Sequence, residues 1–344
     1  MRLFVKFIII SGLCGLAACG GMNGELNRAM ELANKGDFNG ALRIYRQILK
    51  EKPEHPLYLN NFGWTLFKAD SLEYSGIVLK KAFQNAEGSQ LKEYIQKNRN
   101  MTRAFLTGQR FLKNENAKEA LNEFLKITEK NKVKDIGYKY LALTYEALGN
   151  IEIAKANWEQ IITAYENSRV RNHFYKLARE KILNYAQHAI TVGNYEEAIR
   201  IYRILTTVEK DSAEGNNYLG YALFLNDELI EGKEILEKAR DKDSHQAFHD
   251  SIQTNLFMVT TFLAGEYSLS RENYKSALNE FRKVTERYPE MDIGLKYMAL
   301  CYEGMNEKQK ADELLQRIAF LHEGNKHKNK YYHFAVAKLK LEIE

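Results

Sequence analysis

The residues that could carry chemistry in this 344-residue chain are three cysteines, Cys14, Cys19 and Cys301, eight histidines and a large number of carboxylates. His245 and His249 are four apart, a spacing that places two imidazoles on one face of a helix and suits zinc. A zinc protease of that pattern needs a glutamate directly after the first histidine, and Gln246 stands there, with no third ligand in view. Both histidines therefore read as polar surface residues. His322, His327 and His333 lie among Lys326, Lys328 and Lys330 and also read as solvent-facing. A nucleophilic thiol needs a base beside it, and nothing in the sequence places one at Cys301, which is expected to be a small buried residue. No glycine-rich phosphate loop and no serine-elbow motif occurs, so neither a metal, a cofactor nor an enzymatic activity is expected.

The remaining cysteines belong to the N-terminus. Arg2 and Lys6 precede an apolar run from Phe7 to Ala18, interrupted only by Ser11, Gly12 and Gly15. The run is shorter than the ~20 residues that a bilayer-spanning helix needs and has the build of a secretory signal peptide. It ends in Leu16-Ala17-Ala18-Cys19-Gly20, which resembles the lipobox of bacterial lipoproteins; the other reading is an ordinary signal peptide with a chance cysteine. The resemblance implies that the Cys19 thiol takes a diacylglyceryl group, that cleavage follows Ala18, and that Cys19 becomes an N-acylated first residue. Several acyl chains would hold the protein to a membrane, where a single chain binds only marginally. Gly20, rather than Asp, after the cysteine is similar to the default signal for the outer membrane, so the expected location is the periplasmic face of that membrane.

The elements that would carry any binding site follow from composition and repetition. The chain holds 45% hydrophobic and 28% charged residues and only 3 prolines, which excludes a mainly disordered, collagen-like or turn-rich β chain and favours many helices. Lys and Arg, 50 together, are interleaved with 45 Asp and Glu to give a net charge of +5. A dedicated nucleic-acid binder concentrates its basic residues more, so nucleic acid is not an expected partner. One local basic concentration exists, Arg169, Arg171, His173, Lys176, Arg179 and Lys181, which reads as a solvated helix face or as a contact for acidic groups.

The segment Gly36-Asp37-Phe38-Asn39-Gly40-Ala41-Leu42-Arg43-Ile44-Tyr45 recurs as Gly193-Asn194-Tyr195-Glu196-Glu197-Ala198-Ile199-Arg200-Ile201-Tyr202. Small residues at 29, 63, 108, 142, 186, 220, 265 and 299 are each followed 12 positions later by another, at 41, 75, 120, 154, 198, 232, 277 and 311. A large residue stands four further on: Tyr45, Leu79, Phe124, Trp158, Tyr202, Leu236, Phe281 and Leu315. Small residues let two helices approach closely, and large ones a turn later fill the next groove. The pattern resembles the tetratricopeptide repeat, a helix-turn-helix of 34 residues. The resemblance implies an all-α fold, an α-solenoid of about eight repeats in a right-handed superhelix. The spacing is 34 within pairs of repeats and 44 or 45 between pairs, which predicts that helix A of repeats 3, 5 and 7 is extended to about 24 residues. A longer identity at 157 residues, such as Ala120-Leu121-Asn122-Glu123-Phe124 with Ala277-Leu278-Asn279-Glu280-Phe281, predicts two blocks of four repeats. The expected organisation is a signal over 1–18, an anchor and linker over 19–24, repeats over 25–168 and 169–325, and a non-repeat capping segment over 326–344.

In the tetratricopeptide family helix A lines a concave groove that binds protein. Carried onto this sequence, the groove positions are Asn60, Trp64, Phe67, Phe105, Gln109, Asn217, Tyr221, Phe224 and Phe262. These aromatic residues beside amide side chains suit an extended or helical peptide; alternatively they pack against neighbouring repeats. The functional expectation is a lipid-anchored, non-catalytic protein-binding scaffold that helps assemble a cell-envelope complex of the pilus, secretion or outer-membrane assembly type. The alternatives are an accessory regulator of a peptidoglycan or polysaccharide enzyme, and a surface-exposed ligand-binding lipoprotein.

Overall fold

A computed structural model describes residues 19–131, 134–325 and 329–340. Every regular element among them is a helix. They run in chain order as pairs: α1 (Cys19–Asn34) with α2 (Phe38–Glu51), α3 (Pro56–Lys68) with α4 (Leu72–Gln84), α5 (Ser89–Lys113) with α6 (Ala117–Asn131), and α7 (Lys134–Ala147) with α8 (Ile151–Thr163). Then follow α9 (His173–Thr191) with α10 (Tyr195–Val208), α11 (Ala213–Leu225) with α12 (Leu229–Lys242), α13 (His249–Ser270) with α14 (Tyr274–Thr285), α15 (Asp292–Gly304) with α16 (Lys308–Leu321), and a last helix, α17 (Lys330–Leu339). The protein is thus all-α, an α-solenoid of paired helices.

The register of small residues is physically realised. The carbonyl of Gly63 accepts a 2.7 Å bond from Ser75 Oγ, twelve residues on. A Cβ added to Gly63 or Gly220 would lie 2.7 or 2.6 Å from Leu79 or Leu236, and one added to Gly108 or Gly265 would lie 2.6 or 2.5 Å from the rings of Phe124 or Phe281. In these four repeats the large residue of the second helix therefore sits on the bare backbone of the first.

The turn between the two helices of each pair is built the same way eight times. The residue seven after the small one, at Gly36, Asp70, Glu115, Gly149, Gly193, Asp227, Glu272 and Asn306, has a positive φ between 58° and 84°. This left-handed residue ends the first helix. The second helix then begins on a side-chain cap at Asp37, Asn194 and Asn273, whose oxygens accept from Gly40, Glu197 and Ser276 amides. Pro56 opens α3 at its first turn, where its missing amide hydrogen has no partner to lose.

Two compact units result, Met1–Gly149 and Asn150–Glu344. The division falls between the two helices of the fourth repeat, one helix earlier than the 168/169 boundary drawn from the repeats. The extended first helices are present as α5, 25 residues, and α13, 22 residues. The corresponding α9 has only 19. Residues 164–172 form a turn and irregular chain instead, held by Arg171, whose guanidinium donates to the carbonyls of Tyr165, Ser168 and Val208.

Within the C-terminal segment Lys330–Leu339 is a helix, and its start repeats the start of α9. Asn329-Lys330-Tyr331-Tyr332-His333-Phe334-Ala335 follows Asn172-His173-Phe174-Tyr175-Lys176-Leu177-Ala178 by the same 157 residues. Both asparagines cap their helix, α17 and α9, and Phe174, Ala178, Tyr331 and Ala335 are all buried. The segment is the opening of a third copy, packed on α15 and α16, where the sequence reading had a non-repeat cap.

The lipobox residues Leu16-Ala17-Ala18 and the rest of 1–18 lie outside the described residues, and only the backbone of Cys19 is described, as the first residue of α1. No helix among the described residues is long and apolar enough to cross a membrane.

Candidate protein-binding surface

The expected groove residues separate into two groups. Asn60, Phe67, Phe105, Asn217, Phe224 and Phe262 are buried. They form the joints between successive first helices and cannot present their side chains to a ligand. In the first unit the Phe67 ring meets Phe105 edge-on at 5.1 Å, and Phe105 meets Phe124 and Tyr140 at 5.4 and 5.7 Å. In the second unit Phe224 meets Phe262 at 5.1 Å, and Phe262 meets Phe281 and Tyr297 at 5.1 and 5.9 Å. The two ladders are built from residues 157 apart. Beside them run amide pairs: Asn98 donates to Asn60 at 3.0 Å, and Asn255 donates to Asn217 at 2.9 Å. These side chains pack between repeats, where contacts between successive first helices occupy them.

Trp64, Gln109 and Tyr221 form the second group and stay half-buried. Trp64 stacks on Phe67 at 4.8 Å with the planes 12° apart. Tyr221 lies over Phe224 at 6.4 Å. Each is therefore an aromatic edge on a rigid, fully packed base.

Around them lies a polar network that the sequence reading missed. Asp70, the left-handed residue after α3, accepts from the Tyr140 hydroxyl at 2.9 Å and pairs with the ammonium of Lys139, both on α7. Gln109 of α5 donates to the same hydroxyl at 3.1 Å. The second unit repeats this at Asp227, Lys296 and Tyr297, with a 2.9 Å bond from the Tyr297 hydroxyl. Glu266 replaces Gln109 there, 3.1 Å from that hydroxyl. Burial first, then the neighbouring aspartate, holds the Tyr140 and Tyr297 hydroxyls protonated far above the ordinary phenol range. Lys68, whose Nζ donates to Asn34 at 3.1 Å, is pushed down by burial. The signal for this network was the recurrence of Asp70 and Lys139-Tyr140 as Asp227 and Lys296-Tyr297.

In the second unit, α17 lies against the end of α11: the Tyr331 hydroxyl donates to the Leu225 carbonyl at 2.7 Å, and Lys330 donates to that of Asn226. His322, expected at the surface, is buried beneath the same helix. Its Nε2 sits 2.9 Å from Asp292, which also accepts from Tyr195 at 3.0 Å and Asn329 at 2.8 Å.

His245 lies in the turn before α13 and His249 is that helix's first residue, so they do not share a helical face. Among the described residues no group of three or more His, Cys, Asp or Glu could hold a metal ion. Cys301 is buried, as expected, and burial pushes its thiol up to about 11. In the basic segment Arg169, His173 and Lys176 are exposed, Arg171 donates to backbone carbonyls, and Arg179 pairs with Glu209 at 2.8 Å and with Glu214.

Comparison with known proteins gives one family match. Residues 140–168 match the tetratricopeptide repeat family. No curated protein matches the chain. Solved structures that resemble it include a tetratricopeptide repeat protein from Parabacteroides merdae, with 16% identity over 81% of this chain and 98% of that one and a TM-score of 0.28. The C-terminal part of a TPR repeat-containing protein from Cytophaga hutchinsonii shares 13% over 90% of this chain and 99% of that one, with a TM-score of 0.31. The TPR domain of P58(IPK) shares 12% over 93% of this chain and 98% of that one, with a TM-score of 0.30. A tetratricopeptide repeat is therefore recognisable at residues 140–168, within an all-helical chain of paired helices.

Proposed function

We propose that this protein is a non-catalytic, protein-binding scaffold, held at the periplasmic face of an outer membrane by lipid on Cys19, where it helps to assemble a cell-envelope complex. The observation that carries the binding role is the recurrence of a half-buried aromatic at one place in both units, Trp64 and Tyr221, each resting on a fully buried phenylalanine. Such side chains are already ordered before binding, so little rotamer freedom is lost when a partner covers them. The adjacent Asp70–Lys139–Tyr140 network supplies charge and hydroxyl groups that are held in place. The membrane role rests on Leu16-Ala17-Ala18-Cys19, and the envelope role follows from that address.

A photo-crosslinking residue placed at Trp64 or Tyr221 in cells is expected to capture a protein partner. Capture only from sites on the second helices of the pairs, such as Ile77 and Ile230, would refute the assigned surface. Cys19→Ser is expected to abolish acyl labelling and release the protein from the membrane fraction; unchanged labelling would refute the anchor.

A further inference from the structure

The 157-residue duplication supplies an internal control for the surface of each helix, and at one helix the two copies disagree. The outer stripe of α5, opposite its core face, carries Gln96, Asn100, Arg103, Thr107 and Arg110. The same places on α13 carry Gln253, Phe257, Thr260, Ala264 and Tyr267, all of them exposed. Two arginines have gone and two aromatic rings have come. Phe257 is 52% and Tyr267 60% exposed. Between Asp250 and Glu266 the helix has no charged residue at all. Exposed rings of this size on an uncharged stripe leave apolar area in water that a partner would cover.

The stripe is complementary to itself. Its centre is the small pair Thr260 and Ala264, its flanks are Phe257 and Tyr267, and its ends carry opposite charges, Asp250 at the start of α13 and Arg271 just past its end. The Arg271 guanidinium lies over the Tyr267 ring at 4.7 Å. An antiparallel two-fold between the small residues brings two α13 helices close together. It carries Phe257 of each copy to the Tyr267 end of the other, and Arg271 of each to the Asp250 end of the other. Small residues at the crossing permit close approach, and an isologous interface needs this kind of symmetry.

We propose that the outer face of α13 is a self-association surface whose occupant is α13 of a second copy of this chain. The test is sedimentation equilibrium of the full-length chain in density-matched detergent, comparing the natural sequence with the double variant Phe257→Asn and Tyr267→Arg. These substitutions install the residues that α5 carries at the same places, so the fold tolerates them by its own precedent. The natural chain is expected to dimerise and the variant to dimerise at least 100-fold more weakly, with unchanged helical circular dichroism. Thr260→Cys mixed with Ala264→Cys is expected to form an intermolecular disulfide under mild oxidation. A natural chain that stays monomeric, a variant that dimerises equally well, or crosslinking from position 257 to a different protein rather than to a second copy would each overturn the proposal. None of these outcomes bears on partner capture at Trp64, so the two readings fail separately.

Discussion

At the scale of single residues, the left-handed turns separate two kinds of acidic side chain. Glu115 and Asp70 hold nearly the same backbone, φ 60° and 64°. A non-glycine residue there costs about 1 kcal/mol, which glycine removes. Glu115 is exposed, so Glu115→Gly is expected to stabilise the protein by about 0.5–1 kcal/mol. Asp70 instead receives the Tyr140 hydroxyl and the Lys139 ammonium. Asp70→Gly strands the hydroxyl of buried Tyr140 and a cation, a loss of about 1–3 kcal/mol that outweighs the backbone gain. Thermal denaturation of the two variants should therefore shift in opposite directions; shifts of the same sign would show that the Asp70 network contributes nothing net. Buried acids give a second expectation. The Cys301 thiol is raised from 9.0 to about 11 by burial, and the Tyr45 phenol from 10.0 to about 12, again mainly by burial. Both groups keep their protons in the folded chain at pH values where the unfolded chain releases them. Their contribution is intact below about pH 9 and is lost as pH climbs from 9 through 11 for the thiol and from 10 through 12 for the phenol. Denaturant midpoints should fall steeply across that range, and Cys301→Ala should flatten the part between 9 and 11.

At the scale of elements, the helix pairs were legible because their contacts are local and repeated. An offset of 12 and a large residue four further on describe a packing event, and Gly265 against Phe281 is that event in atoms. Gly265→Ala and Gly108→Ala force a methyl group into the Phe281 and Phe124 rings, and overpacking of this kind costs about 1–3 kcal/mol. Gly24→Ala, where nothing lies within 4 Å of the added carbon, is the control and should leave the unfolding midpoint unchanged or raised. Equal losses at all three glycines would mean that helix approach does not explain the small-residue register. What stayed hidden in the sequence is non-local. The segment before α9 has helix-compatible residues, yet Arg171 donates to three carbonyls and holds it as a turn and irregular chain. The groove assignment named residues correctly placed on first helices, but their burial depends on how closely adjacent first helices approach. That distance is set by Phe67 on Phe105 and Asn60 on Asn98, not by either helix alone.

At the scale of the whole molecule, the 157-residue period extends one helix further than eight repeats, and this changes what the C-terminus does. A terminal cap would need only to cover α16. Helix α17 also reaches back about a hundred residues in sequence, to the end of α11 through Tyr331 and Lys330 and to Tyr195 through the Asp292 cluster. Stability in a repeat array is mostly a sum of nearest-neighbour terms, so a long-range link of this kind, like the Asp70–Lys139 and Asp227–Lys296 pairs that skip a repeat, adds cooperativity to the array. Tyr331 is almost wholly buried, and Tyr331→Ala removes both its ring and the bond to Leu225, a loss of about 3–5 kcal/mol on the scale of large-to-small core changes. The location of the damage is the sharper expectation. Hydrogen exchange should accelerate not only in α15–α17 but also around the turn from α11 to α12, whose carbonyls α17 covers. Tyr331→Phe, which keeps the ring, should spare α15–α17 and loosen that turn alone. Exchange that accelerates only next to residue 331 in both variants would show that α17 is an end cap and that the long-range link carries no stability.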